Sequence, residues 1–187
     1  MKKLKQLWEK MPFLYPTPVV LVTCADPEGK PNVLTATCVG IACAKPPFAT
    51  VSVHPFVYSH SLIMSTNELV INVPTDDLLE DVEYCGTVSG RKEDKFAMSK
   101  LTPLPASKVK PPLIKECPIN IECIVRHRLS LGIHDLLISE VVATHVDDDL
   151  IRPDGKLDLH NLRFLACIKG TGEWRNLRVV YTAESGD

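Results

Sequence analysis

The alternation of hydrophobic and hydroxyl-bearing positions between residues 19 and 60 predicts three consecutive β-strands. Residues 19–24 are apolar and rich in β-branched side chains, residues 33–39 alternate small hydroxyl side chains with apolar ones, and residues 48–53 repeat the strand pattern. The sequence DPEG at residues 26–29 predicts a tight turn, because proline presets φ and glycine accepts positive φ. The first part of the chain is therefore expected to form sequentially connected strands.

The same criteria predict further strands and a few helices along the rest of the chain. The predicted strands are 69–73, 119–126 and 136–144, and the predicted helices are 59–66, one that begins at Thr75 and stops at Gly86, and 93–99. The proline-rich stretch 101–115 predicts an extended connection across the surface. These elements predict a mainly β (α+β) protein, a six-stranded antiparallel barrel with two or three inserted helices.

Length and charge limit the class of protein. A chain of 187 residues suits one domain over residues 1–187. Its net charge of −2 gives no general attraction to nucleic acid or to an anionic membrane. No apolar run approaches the roughly 20 residues that span a bilayer. Charged residues interrupt the apolar ones at residues 1–10, so a signal-peptide core is not expected there and the expected compartment is the cytoplasm.

The cysteines do not indicate a metal site or a disulfide framework. Their number is odd, at seven, and they form neither a CxxC pair nor a zinc-type pattern with histidine. We expect most of them to be small buried side chains in a reducing compartment, and no metal ligands. A thiol or metal protein built on these cysteines is an alternative, and it predicts that alkylation of several of them abolishes activity.

Hydroxyl side chains are concentrated on the predicted strands and at the start of the first helix. Strand hydroxyls beside a helix start lined by serine and histidine can bind a phosphate group, together with backbone N–H groups. The candidates are Thr35, Thr37, Ser52, Ser59 and Ser61. The chain has no GxGxxG after a strand and no Walker loop, so a nucleotide cofactor is not expected to bind as it does in a Rossmann fold.

Four other side chains have both a structural and a functional interpretation. Lys95 lies in a basic, glycine-containing loop that leads into a helix, where it is either an exposed loop lysine or a cation beside a phosphate or a ring edge. Asn32 is either a turn residue or an amide that can both donate to and accept from a ligand. His134 is either a strand-end histidine or a site residue, and Trp174 is either a plug at the end of the barrel or an aromatic contact.

The order of several short motifs resembles the FMN-binding split barrels of the flavin reductase and flavoredoxin type. The resemblance spans roughly residues 12–174. The motifs, in chain order, are PVVLVT at 18–23, GKPN at 29–32, PP at 46–47, YS at 58–59, NVP at 72–74, SG at 89–90 with DKF at 94–96, EC at 122–123, and GIH at 132–134. The split form of the barrel is implied by this resemblance and not by the periodicity.

The resemblance implies an FMN-binding oxidoreductase in which the cofactor supplies the chemistry. No pair of side chains is expected to act as a catalytic dyad. It implies that the hydroxyls above hold the phosphate and ribityl chain and that Lys95 supplies charge. It implies a ring system lined by Cys38, Val39, Val53 and His54, with Asn32, His134 and Trp174 near the ring or its mouth. Tyr58, from the motif before the first helix, is also implied as a cofactor-binding residue. It also implies a homodimer and an electron donor that is either NAD(P)H or a protein. The alternative is a barrel that carries flavin or haem without catalysis.

Overall fold

The computed structural model describes residues 4–12, 14–168 and 177–180. Within these residues the chain forms twelve strands, three α-helices and two short 3-10 helices. The strands are β1 (Thr17–Pro18), β2 (Val20–Ala25), β3 (Pro31–Ala36), β4 (Val39–Ala44), β5 (Pro47–Val53), β6 (Glu68–Val73), β7 (Pro103–Leu104), β8 (Leu113–Ile114), β9 (Ile119–Ser130), β10 (Asp135–Val146), β11 (Phe164–Cys167) and β12 (Leu177–Val180). The helices are α1 (Tyr58–Thr66), α2 (Leu79–Thr87) and α3 (Lys95–Met98), with 3-10 turns at Asp76–Leu78 and Asp148–Leu150.

Seven strands form one antiparallel sheet in the order β3-β2-β6-β9-β10-β5-β4. Its two edge strands, β3 and β4, are consecutive in the chain and are joined by Thr37 and Cys38 alone. The sheet must therefore curl until its edges approach each other, and the N–H of Ser52 on β5 donates to the carbonyl of Cys38 at 2.9 Å. This arrangement confirms the predicted mainly β barrel class.

The number of barrel strands differs from the six that the sequence predicts. The predicted strand 33–39 ends at Ala36, and the chain resumes as a separate strand, β4, that pairs with β5. The pattern of apolar and small residues runs through this break without interruption, so periodicity could not locate it. A short sheet of β1, β11 and β12 and the pair β7–β8 lie outside the barrel sheet.

Strand β2 is buried along its whole length because it separates two hydrophobic clusters. Val20 and Val22 face the barrel interior, where Leu62 and Ile63 of α1 also pack. Leu21 faces the other side, in a cluster that includes residues of α2, the connection before β9, and β11. Helix α2 is thus held against the outside of β2 and β3.

Two of the three predicted helices need corrected boundaries. Helix α1 ends as predicted, with Asn67 in the left-handed region at φ 56°. The second helix does not begin at Thr75, whose hydroxyl donates to Asp77 instead of capping the helix, and a 3-10 turn precedes α2. That helix also continues past Gly86 to Thr87. The third helix is shorter than the predicted 93–99 and spans Lys95–Met98, because Asp94 caps its start. No helix among the described residues is long and apolar enough to cross a membrane.

The connection between α3 and β9 is not simply a surface segment, because Glu122 anchors it from within the sheet. The Glu122 side chain is fully buried. Its carboxylate accepts hydrogen bonds from the N–H groups of Ser107, Lys108 and Val109, from the Ser107 hydroxyl and from His145. Burial alone would raise the pKa of Glu122, but the bonds from Ser107, His145 and Lys108 outweigh it and lower the pKa to about 2.

We expect Glu122→Gln to destabilise the protein, since the amide cannot satisfy the same set of N–H donors. An unsatisfied buried donor costs about 1–3 kcal/mol, so the free energy of unfolding should fall by at least that amount in urea denaturation at pH 7. Glu80→Gln is the control, because the Glu80 side chain is 88% exposed. Equal stabilities of the two variants would contradict the anchoring role.

The pH dependence of stability gives a second readout of the same group. The folded-state pKa lies below the ordinary value of about 4.5, so the stabilisation is complete above the unfolded pKa. It is lost as the pH falls from about 4.5 towards 2. In urea titrations over this range, Glu122→Gln should lose less stability on acidification than the unmodified chain.

Candidate functional site

A cleft of about 440 Å³ opens where the two edges of the curled sheet approach each other. Its walls come from the end of β3, the end of β5, the start of α1, the segment after α2, and the turn between β9 and β10. Ten of the sequence-predicted site residues line this cleft: Thr35, Thr37, Cys38, Ser52, Val53, His54, Tyr58, Ser59, Lys95 and His134. The topology therefore brings together residues from six separate segments, since Lys95 comes from α3.

Four predicted site residues do not line the cleft. Asn32 lies in an adjoining smaller hollow. Val39 packs against the barrel core, and the exposed Ser61 donates its hydroxyl to the carbonyl of Tyr58 at 2.8 Å. Trp174 lies outside the described residues.

Some of the hydroxyls in the cleft wall form hydrogen bonds to other parts of the protein, and others do not. Thr35 is buried and donates to the carbonyl of Val82 at 2.6 Å, so its hydrogen holds β3 against α2. Ser59 is also buried and accepts a hydrogen bond from the Asn32 amide at 2.7 Å. The hydroxyls of Thr37 and Ser52 form no hydrogen bond within the described part of the chain, which leaves them available to a ligand.

Lys95 is not an exposed loop lysine, because 95% of its surface is buried (relative exposure 5%). Its ammonium donates to the carbonyls of Val33 at 2.8 Å and Cys85 at 2.6 Å. Asp94 caps α3 by accepting the N–H groups of Phe96 and Ala97, and this places Lys95 at the first position of that helix. Burial lowers the pKa of Lys95. An ammonium has three hydrogens, so one remains for a group in the cleft.

Two histidine rings stand together at the mouth of the cleft. The rings of His54 and His134 are 5.7 Å apart in an edge-to-face arrangement, and Phe56 lies 5.3 Å from His54. His54 is fixed by the N–H of Phe56, which donates to its Nδ1 at 3.2 Å. Both histidines line the cleft.

A buried pair behind this wall joins helix α1 to strand β10. His60 and Asp135 are both buried and are 2.8 Å apart. The Ser130 hydroxyl lowers the pKa of Asp135 against the opposing effect of burial, and His60 and Arg128 lower it further. From the sequence His60 has only a weak claim to a functional role, as a neighbour of Ser59 and Ser61, and Asp135 was not predicted. The available signal was position, since each directly follows a predicted site residue, Ser59 or His134.

The cleft wall also includes the end of α2 and the segment after it, which the sequence did not indicate as a major part of the site. Residues 85–90 line the cleft, and Gly90 packs directly on the Asn32 side chain. A β-carbon at position 90 would overlap the amide oxygen of Asn32, so this close approach requires glycine. The Ser89-Gly90 motif was the signal for this segment.

The cysteines divide into buried and exposed groups around the site. Cys24 and Cys85 lie near Lys95, but burial outweighs its charge and raises the pKa of their thiols to about 12 and about 11. Cys38 and Cys43 are exposed, and Cys38 lines the cleft. Among the described residues no cluster of three or more His, Cys, Asp or Glu side chains could hold a metal ion.

Comparison with known proteins identifies the family of this chain and supports a flavin-related redox function. A sequence model of the family described as "Flavin reductase like domain" matches residues 12–162. The chain belongs to this flavin reductase-like family. An uncharacterized protein of Archaeoglobus fulgidus is 39% identical over 153 residues, which cover 82% of this chain and 84% of that protein.

Solved structures of flavoredoxins share the fold over nearly the whole chain. The flavoredoxin of Desulfovibrio vulgaris superposes with a TM-score of 0.86 at 29% identity and covers 97% of each chain. The flavoredoxin from Methanosarcina acetivorans has a TM-score of 0.80 at 25% identity, with 100% of this chain and 95% of that one covered. The resemblance to FMN-binding split barrels is therefore confirmed at the level of family and fold.

We expect Lys95→Met to destabilise the protein even without a ligand, because it leaves the Val33 and Cys85 carbonyls without a donor. The free energy of unfolding should fall by at least about 1–3 kcal/mol in urea denaturation. Lys115→Met is the matched control, since Lys115 is exposed. If both variants are as stable as the unmodified chain, the ammonium does not tie β3 to α2.

Proposed function

We propose that the protein binds FMN in the cleft and acts as an oxidoreductase of the flavin reductase or flavoredoxin type. The observation that carries this proposal is the buried Lys95 ammonium in the wall of a cleft that also presents unpaired hydroxyls. When bound, FMN supplies the redox chemistry, since it takes up a hydride or electrons and passes them to an acceptor. The donor class that we propose is NAD(P)H or a protein reductant.

The residues present fit such a cofactor in size and chemistry. A volume of about 440 Å³ is within the usual range for small-molecule sites, about 300–1,000 Å³. Leu34 and Val53 supply apolar surface for a ring system, and Thr37 and Ser52 supply hydroxyl donors for a polar chain. Ligand sites generally combine such an apolar lining with a few fixed polar groups.

The side chains of the cleft would bind and orient, without acting as an acid–base dyad. Lys95 holds a fixed positive charge, which favours a ligand that gains negative charge on reduction. His54 and His134 stand at the mouth, where a second molecule would approach. The His60–Asp135 pair does not line the cleft, so it positions α1 and β10.

We also propose a single functional domain over the chain, a cytoplasmic location and a homodimer. Large apolar side chains around the cleft mouth and on edge strand β4 support the dimer. Ile41 is 88% exposed, Phe56 84%, and Ile133 72%. Exposed apolar side chains and an open strand edge favour association, and a closed two-fold dimer covers both.

We expect the purified protein to carry, or to take up on reconstitution, roughly one FMN per chain, because the described residues form a cleft of suitable size. Denaturing release followed by chromatography identifies the flavin and its amount. Release of FAD alone or riboflavin alone, or no flavin after reconstitution, would count against the proposal. A Soret band would instead indicate the haem-binding alternative.

Light scattering at micromolar concentration should show a dimer. Ile41→Asp should shift it towards monomer, because the substitution places a charge in the apolar surface. Leu157→Asp is the control, since Leu157 is also exposed but lies in a different part of the chain. A monomeric unmodified chain that still binds flavin tightly would refute the dimer.

A further inference from the structure

Three aromatic side chains, His54, Phe56 and His134, stand together at the mouth of the cleft, and we call them the mouth rings. The centroid of the His54 ring is 5.3 Å from that of Phe56 and 5.7 Å from that of His134. Val53 and Val57 line the cleft as well. Aromatic groups pack favourably against one another in offset or edge-to-face arrangements. The mouth therefore suits a planar aromatic ligand.

Both imidazoles among the mouth rings keep a donor that the fold does not use. The N–H of Phe56 donates to Nδ1 of His54, so the hydrogen of the neutral His54 ring is on Nε2. That Nε2–H has no acceptor in the described part of the chain. The His134 ring also forms no hydrogen bond or ion pair with any described residue. Two adjacent N–H donors are thus available to a ligand.

The electrostatic environment of the mouth favours an anion. Among the described residues that line the cleft none is Asp or Glu, and Lys95 adds a positive charge in its wall. Asp135 follows His134 in the chain but does not line the cleft. Its carboxylate accepts the Ser130 hydroxyl at 2.7 Å and bonds to His60 at 2.8 Å, so it is already engaged behind the wall.

We propose that the mouth rings bind the carboxylate of an aromatic acid and that aromatic acids are the second-substrate class of this protein. A carboxylate has two oxygens, so each imidazole can donate to one of them through a charge-assisted hydrogen bond. The aromatic part of the same molecule packs against Phe56 and the apolar wall. The inference rests on the proposed function, in which a second molecule approaches a cofactor held in the cleft.

Titration calorimetry of the full chain with benzoate, benzamide and acetate tests the mouth rings, both without FMN and with FMN added. Benzoate should bind about 10- to 100-fold more tightly than benzamide, because the neutral amide has the same shape but lacks the charge and the second acceptor oxygen. Benzoate should also bind about 3- to 10-fold more tightly than acetate, which has the carboxylate without the ring.

Substitutions that keep an aromatic ring separate hydrogen bonding from packing. His54→Phe combined with His134→Phe removes both donors, so it should abolish the preference for benzoate over benzamide. His127→Phe is the matched control, since His127 is exposed on β9 and does not line the cleft, and it should preserve the preference. Urea denaturation shows whether each variant is folded.

NMR of the imidazole signals gives a readout that needs no folded double variant. Addition of benzoate to the unmodified chain should shift the ring signals of His54 and His134 and leave those of His127 in place. Benzamide at the same concentration should shift them less, because it lacks the charge.

The proposal is overturned if benzoate binds no more tightly than benzamide or acetate, if the preference survives the double substitution, or if the imidazole signals do not respond. Failure of the proposed function is a different result, in which FMN itself does not bind. The titrations without FMN still decide the question for the mouth rings in that case, because their donors belong to the protein.

Discussion

The closure of the barrel at Thr37 and Cys38 is the constraint on which the site depends. Only these two residues connect the two edge strands of the seven-stranded sheet. So short a connection is possible only because the sheet curls back on itself. The two edge strands approach each other but do not pair in the sheet, and the cleft opens between them. With a longer connection at this point, the same strands could form an open sheet in which β3 lies far from β5.

The cleft wall is held by polar contacts from buried side chains and not by apolar packing alone. Lys95 ties β3 to the end of α2, Thr35 makes a second tie to the same helix, and Asn32 joins β3 to α1 through Ser59. A buried ammonium is costly unless carbonyls or a ligand solvate it. The fold supplies two carbonyls, and the third ammonium hydrogen remains for an acceptor in the cleft.

The sequence predicted features that depend on local signals. The turn before β3, the end of α1 at Asn67 and the hydroxyl positions on the strands follow from residue type and periodicity. The family resemblance added Lys95 and His134, which both line the cleft. The break after Ala36 could not be predicted, because strand propensity continues through it and only the tertiary closure of the sheet requires it.

The burial of charged side chains could not be predicted from local sequence patterns either. Lys95 lies among charged neighbours in sequence, and its acceptors come from residues 33 and 85. Glu122 has the alternation of a half-buried strand, but its donors lie in a loop of the preceding connection. Such groups are identified only when distant segments are seen together.

The distribution of the thiols has a practical consequence for spectroscopy. A thiol reacts with a maleimide or a methanethiosulfonate as its thiolate, and burial suppresses that form at Cys24, Cys85 and Cys123. Cys38 is exposed in the wall of the cleft, and Cys43 is exposed on the edge strand β4. The unaltered chain thus already carries attachment points for a fluorophore or a spin label beside its cleft and on its open sheet edge.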